Sequence, residues 1–219
     1  MELLESDFQV LDREIYTFKQ LKEQYSNEEI DQIKQTYKEH WQKWKVLQLT
    51  VATLLPNNLQ MKKPKIESWT NGWNLRNHFW SAYRDPTHKN QNACLAVLLN
   101  KKQFQIYLMF QHYKSEGRSG SLTSYNELLE QISAWSKTVK SEEYYIWPQV
   151  ESELVDHLPL TKFLADPEQP KKLKCSLEGR SFQIGKLLFK TEPIPAIEEV
   201  AATAIQELAP LYSALNVNS

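Results

Sequence analysis

The stretches HFWSAYR (78–84), ACLAVLL (93–99) and QFQIYLMFQHY (103–113) decide the fold. Each is strand-sized, and turn residues separate them: Asp85-Pro86 after the first and Asn100-Lys101-Lys102 after the second. Short turns join antiparallel neighbours, because a parallel pair needs a crossover of about a dozen residues or more. In the third run Phe104, Ile106, Leu108 and Phe110 alternate with Gln105, Tyr107, Met109 and Gln111. That alternation predicts one core face and one mixed face.

Helical periods flank these strands. Leu11, Ile15, Phe18, Leu21 and Tyr25 predict a helix over 12–25. Ser26 with Glu29 is a capping box. It opens a second helix whose stripe is Ile30, Ile33, Tyr37, Trp41, Trp44, Leu47, Val51 and Leu54, ended by Pro56. Residues 56–77 read as a connecting loop with a turn at Asn71-Gly72, and 114–121 as another loop. Ser124 with Glu127 predicts a helix to about Lys140, followed by a short strand over 144–147. Four prolines make 148–170 irregular. Residues 173–177 and 182–189 read as a hairpin around Glu178-Gly179-Arg180. Pro193 and Pro195 precede a last helix with Ile197, Val200, Ala201, Ala204, Ile205 and Leu208 inward. The expectation is an α+β fold, a mostly antiparallel sheet flanked by helices with a helical N-terminal hairpin. It is read as a single domain over 1–219, with the hairpin in 1–55 and the α+β body in 66–219.

Composition narrows the function classes. With 26 Lys and Arg against 27 Asp and Glu the net charge is −1, which argues against a general binder of duplex nucleic acid. The N-terminus is acidic where a signal peptide would be basic, and no apolar run approaches the roughly 20 residues of a membrane span. Two cysteines, Cys94 and Cys175, make no disulfide framework and read as reduced core fillers. A soluble cytoplasmic protein is expected.

Catalytic and cofactor signatures are missing from the spacing. The five glycines, at 72, 117, 120, 179 and 185, build neither a phosphate loop nor a dinucleotide turn, so no cofactor is expected. The histidines at 40, 78, 88, 112 and 157 show no metal-binding helical pair, and no metal site is expected. Glu151, Glu153 and Asp156 beside His157 read as a solvated charged face before they read as an acid/base group.

Two segments carry the functional reading. Residues 69–88 hold Trp69, Asn71, Trp73, Arg76, His78, Trp80 and Arg84; rings that stack and amide or guanidinium donors suit a flat or anionic ligand. The loop after the third strand adds His112, Lys114 and Arg118, with Gly117 and Gly120 able to turn amides toward an anion. The plain alternative is that the aromatics fill a core and the loop is exposed surface.

From Trp69 through the strands to Ser121, and in total length, the chain resembles an uncharacterised bacterial family, some members of which are labelled glucose-6-phosphate 1-dehydrogenase. That activity would need a glycine-rich dinucleotide turn, which these residues lack, so the resemblance implies no catalytic residue. Three functions stay open: a binding module for a small anionic or aromatic ligand, a homodimer or protein partner engaged through the Trp-bearing helix, and an enzyme built on His112 or His157 with a carboxylate.

Overall fold

The computed structural model describes residues 1–61, 63–150, 157–191 and 193–215. The first segment holds β1 (Glu2–Leu3), α1 (Glu5–Gln9), α2 (Phe18–Gln24) and α3 (Asn27–Leu54). Then come β2 (Lys65–Ile66), β3 (Thr70–Asn71), β4 (Asn74–Leu75), β5 (His78–Tyr83), β6 (Ala93–Asn100) and β7 (Gln103–Phe110). Helices α4 (Leu122–Glu127) and α5 (Ile132–Trp135) precede β8 (Tyr144–Pro148). Past β9 (Leu158–Pro159), helices α6 (Leu160–Ala165) and α7 (Glu168–Ser176) lead to β10 (Phe182–Phe189), β11 (Ile194–Pro195) and α8 (Ile197–Ala214).

Seven strands form one sheet in the order β2-β5-β6-β7-β10-β8-β9, every pair antiparallel. The three quoted stretches are its middle, with Phe79 opposite Leu99 and Leu99 opposite Phe104. β3 and β4 make a separate hairpin whose two-residue turn opens on Gly72 at φ +60°, and β1 pairs with β11. The architecture is an antiparallel sheet flanked by helices. No described helix is long and apolar enough to cross a membrane.

Ser26 caps α3 as its spacing predicts: its hydroxyl accepts from the Glu29 amide, and the Glu29 carboxylate accepts from the Ser26 amide at 2.8 Å. Tyr37, Trp44, Leu47 and Val51 then face inward, into one core that also takes Ile197, Ala201, Ile205 and Leu208 of α8. Polar contacts fix the helix on the strands. Trp44 Nε1 donates to Ser81 Oγ at 3.1 Å, and the Tyr83 hydroxyl reaches the Gln48 carbonyl oxygen at 3.0 Å. Leu54, expected inward, is exposed, and Leu55 takes the buried place.

The sheet departs from the expected mixed face. Trp80, Cys94, Ala96, Leu98, Tyr107 and Met109 point away from α3 and α8, yet they are buried as well, in a second cluster made only of strand residues. The sequence of β6 has the reason: an unbroken apolar run is the mark of a strand covered on both sides. β10 also sits very close to β7. A Cβ on Gly185 would lie 2.2 Å from the Ile106 carbonyl oxygen and 2.6 Å from Tyr107 Cα.

Several local expectations are corrected. Only 18–24 of the predicted helix 12–25 is helical, because the chain before it pairs with the hairpin: the Tyr16 carbonyl accepts from the Leu75 amide at 2.7 Å, and Thr17 bridges to Asn74. The helix predicted from Ser124 is capped by Ser121 instead, and 3₁₀ turns at 128–131 and 136–138 break it. Residues 160–165 and 168–176, read as irregular chain and a hairpin strand, are helical. Leu173 and Leu177 are four apart, a spacing that fits one helix face as well as a strand. Cys175 consequently points outward and is exposed, whereas Cys94 is buried.

At the N-terminus Asp7 is buried between His40, at 2.9 Å, and Lys43, at 2.5 Å, fastening α1 to α3. Burial opposes its charge, but hydrogen bonds from His40, Lys43 and the Leu4 amide outweigh that and hold the carboxyl below its usual 3.8. A carboxyl depressed in the folded state stabilises fully above its unfolded value and loses that contribution as pH falls through the folded one. Stability should therefore fall below about pH 4, and Asp7→Asn should make the fall shallower; a urea midpoint with the same pH slope in both proteins would disprove this. Gly185→Ala should cost about 2–3 kcal/mol in urea unfolding, because backbone cannot retreat as a side chain can. A loss below about 0.5 kcal/mol would mean that β10 has more room than this packing implies.

Candidate functional site

Both faces of the sheet being covered, its polar groups collect at the end where β5 stops, β6 starts and β7 stops. There Arg84 leaves β5, and the Asn90-Gln91-Asn92 run enters β6. The loop following β7 folds back beside that run. Gln91 bridges to Ser119 in parallel, the Asn92 amide donates to the Ser119 carbonyl at 2.9 Å, and the Ser119 amide donates to the Asn90 carbonyl at 3.0 Å. Asn92 Nδ2 donates to the Gly120 carbonyl at 2.9 Å, and the positive φ of Gly120, +89°, allows the loop to turn there.

Two guanidinium groups meet on this platform. Arg84 Nη2 donates to Gln111 Oε1 at 2.8 Å, and Arg118 Nη1 donates to the same oxygen. Arg84 Nε is fixed by the Gln91 carbonyl at 3.1 Å. Among the described residues neither arginine meets a carboxylate; the shared partner is a neutral amide. Both side chains are half-buried, so their repulsion is only partly screened by solvent. Burial lowers the pKa of Arg118, and the charge of Arg84 lowers it further. An arginine pair facing each other without a counter-ion is an arrangement an anion would relieve.

The sequence-predicted residues divide between two ends of the sheet. Arg84, His112, Lys114 and Arg118 belong to the end just described. Lys114 is exposed, in left-handed conformation at φ 57°, with its ammonium over the Tyr113 ring. His112 packs edge-on to Phe110 and holds Ser181 Oγ at 3.2 Å. The Ser181 hydroxyl donates to Gln149 Oε1 at 2.6 Å, so its hydrogen is directed away from the imidazole and His112 Nε2 is the donor. Ser181 is fully buried, and this geometry does not make it a nucleophile. Burial lowers the His112 pKa.

Asn71, Arg76 and His78 lie at the opposite end of β5, lining a shallow groove of about 280 Å3 with Tyr16 and Asn74. Arg76 is paired with Glu67 at 2.8 Å there, so it already has a counter-ion. His78 is held neutral: burial, and then the neighbouring Arg76, push its pKa down to about 4. Trp73 sits on the hairpin turn, 85% exposed, while Trp69 packs half-buried against the core and Trp80 is buried in the strand-only cluster. The structure therefore does not bring the tryptophans to the arginine pair. The proposed carboxylates for His157, Glu151, Glu153 and Asp156, lie outside the described residues; the His157 ring stands edge-on against Trp147 at 4.3 Å. No three His, Cys, Asp or Glu side chains among the described residues gather to hold a metal ion.

Gln91 is the site residue that the sequence did not single out, and Gln111 stood at the head of the polar segment after the third strand without a role. The available signal was polar side chains at strand ends, where amides such as Asn90-Gln91-Asn92 interrupt apolar runs. For His78, NMR titration should give a ring midpoint at about 4 that rises in Arg76→Gln; a midpoint near the usual 6.5 in the unmodified protein would overturn the desolvated, Arg-repelled placement.

Known proteins share this arrangement of sequence over almost the whole chain. A protein-family model matches residues 3–215. An uncharacterised protein of Haemophilus influenzae is 32% identical over 199 residues, covering 90% of this chain and 90% of its own length. The chain belongs to the protein family whose model spans its residues 3–215, in keeping with the bacterial family it resembles.

Proposed function

We propose that this protein is a binding module for a small ligand bearing a phosphoryl or carboxylate group, held by Arg84 and Arg118. The observation that carries this reading is the convergence of both guanidinium groups on one neutral oxygen, Gln111 Oε1, with no carboxylate of the described residues between them. Guanidinium forks match such anions in bidentate fashion, and a half-buried pair loses less to solvent than an exposed one. Lys89 and Lys114, both exposed, lie on the loops that adjoin the arginines in the chain, as do Asp85 and Glu116. The alternative through the Trp-bearing helix would have to use its exposed Val46 and Leu49 rather than its tryptophans. Trp44 is buried, and Trp41 gives its indole N–H to the Glu67 carbonyl at 2.8 Å.

A site tuned for an anion is under electrostatic tension when empty, so function and stability should separate on mutation. Pyrophosphate at 100 times its dissociation constant should stabilise the protein by about 2.7 kcal/mol, a rise in Tm of roughly 5–10 °C. Arg118→Met should abolish that rise while leaving the ligand-free Tm unchanged or higher. Arg84→Met should weaken binding at least about tenfold, the 1.4 kcal/mol of one lost charge-assisted contact. An undiminished pyrophosphate response in the Arg84→Met, Arg118→Met double variant would refute the assignment.

A further inference from the structure

Across the Gln91–Ser119 bridge from the arginines, on the core side of the strands by their alternation, lies a cleft of about 390 Å3 between the start of α4, the end of α8 and the end of the sheet. That volume falls within the range of small-molecule pockets. Its chemistry is the reverse of the arginine end. Phe110, Tyr125 and Leu128 form an apolar wall, Ser119 supplies a hydroxyl, and among the described lining residues Glu127 is the one that carries a charge. No lysine, arginine or histidine among the described residues lines it.

Gln91 makes the cleft more than a surface depression. Gln91 lines the space and is 4% exposed, yet among the described residues its Oε1 has no hydrogen-bond partner. Buried amide oxygens are nearly always paired, and an exception calls for a donor that arrives from elsewhere. The Gln91 main chain cannot shift to find one. Its carbonyl is taken by Arg84, its amide donates to the His88 carbonyl at 3.0 Å, and the residue is bridged to Ser119. The carboxamide can only turn in place, toward the space it lines.

We infer that this cleft binds a small amine or amidine on an apolar, preferably aromatic, body, its N–H donated to Gln91 and its charge balanced by Glu127. The ring lies against Phe110 and Tyr125, and the Ser119 hydroxyl accepts or donates as the head group requires. This site is independent of the anion site, although the two share the Gln91 backbone. Charge disfavours cations at the arginine end, and Glu127 disfavours anions in the cleft.

Amide-resolved NMR of the full chain titrated with benzamidine, benzamide and benzoate tests the inference. Benzamidine should move the resonances of Gln91, 119–121 and 124–128, benzamide should do so more weakly, and benzoate should bind at least tenfold more weakly than benzamidine. Glu127→Gln, at an exposed position, should remove the preference of benzamidine over benzamide. Gln91→Leu should weaken both, and Arg118→Met should leave them unchanged. Benzoate binding as tightly as benzamidine, shifts confined to other residues, or a benzamidine preference that survives Glu127→Gln would each overturn it. Loss of the pyrophosphate response with benzamidine binding intact would count against the anion site alone.

Discussion

A sheet buried on both faces leaves polar chemistry only its ends and edges. That constraint organises this molecule. β6 presents Leu95 and Val97 to the helices, and Ala96 and Leu98 to the opposite side, without a polar residue for solvent on either. Hydrogen-bonding groups that the chain carries into the sheet must be paired inside it, as Trp147 Nε1 is with Gln183 Oε1, or displaced to its limits. The arginine pair, the amide run at 90–92 and the serine-rich loop all sit where β5, β6 and β7 give out. The site follows from the core: its rigidity comes from strand ends that cannot move without disturbing packed layers on both sides.

The fold was largely legible because its signals are local. Ser26 and Glu29 are three residues apart and cap a helix whatever else the chain does, and the short turn at Lys101-Lys102 admits only an antiparallel return. The misreadings occur where distant pairing outweighed local period. Ile15 to Thr17 have helical spacing but are recruited by the 70–75 hairpin, and the four-residue step from Leu173 to Leu177 satisfies two geometries at once. The second face of β7 looked mixed because Gln105 and Gln111 are polar. Burial of amides depends on partners that linear spacing does not reveal.

The candidate site was legible in part for the same reason. Arg84, His112, Lys114 and Arg118 were flagged from composition, and the registers of β5 to β7 bring their segments to one end. Asn71, Arg76 and His78 were flagged with them because they are near in sequence. A strand of six residues nevertheless separates His78 from Arg84, roughly 20 Å of extended chain. Proximity along a strand implies distance in space, whereas proximity across a turn implies contact. The tryptophans followed the ordinary rule for large aromatics and went to packing, save Trp73 on its turn.

The pairing of β1 with β11 bears on how the chain reaches this state. Leu3 lies opposite Ile194, and α3 shares its core with α8, so the earliest-made segments find their partners only when the last ones exist. During synthesis the aromatic stripe of α3 must wait, with only β5 to β7 to receive it until α8 emerges. Closure of such sequence-distant contacts carries a large entropic cost before it is repaid. Such an order favours slow folding for the chain's size, with the aromatic face of α3 incompletely covered in the interval.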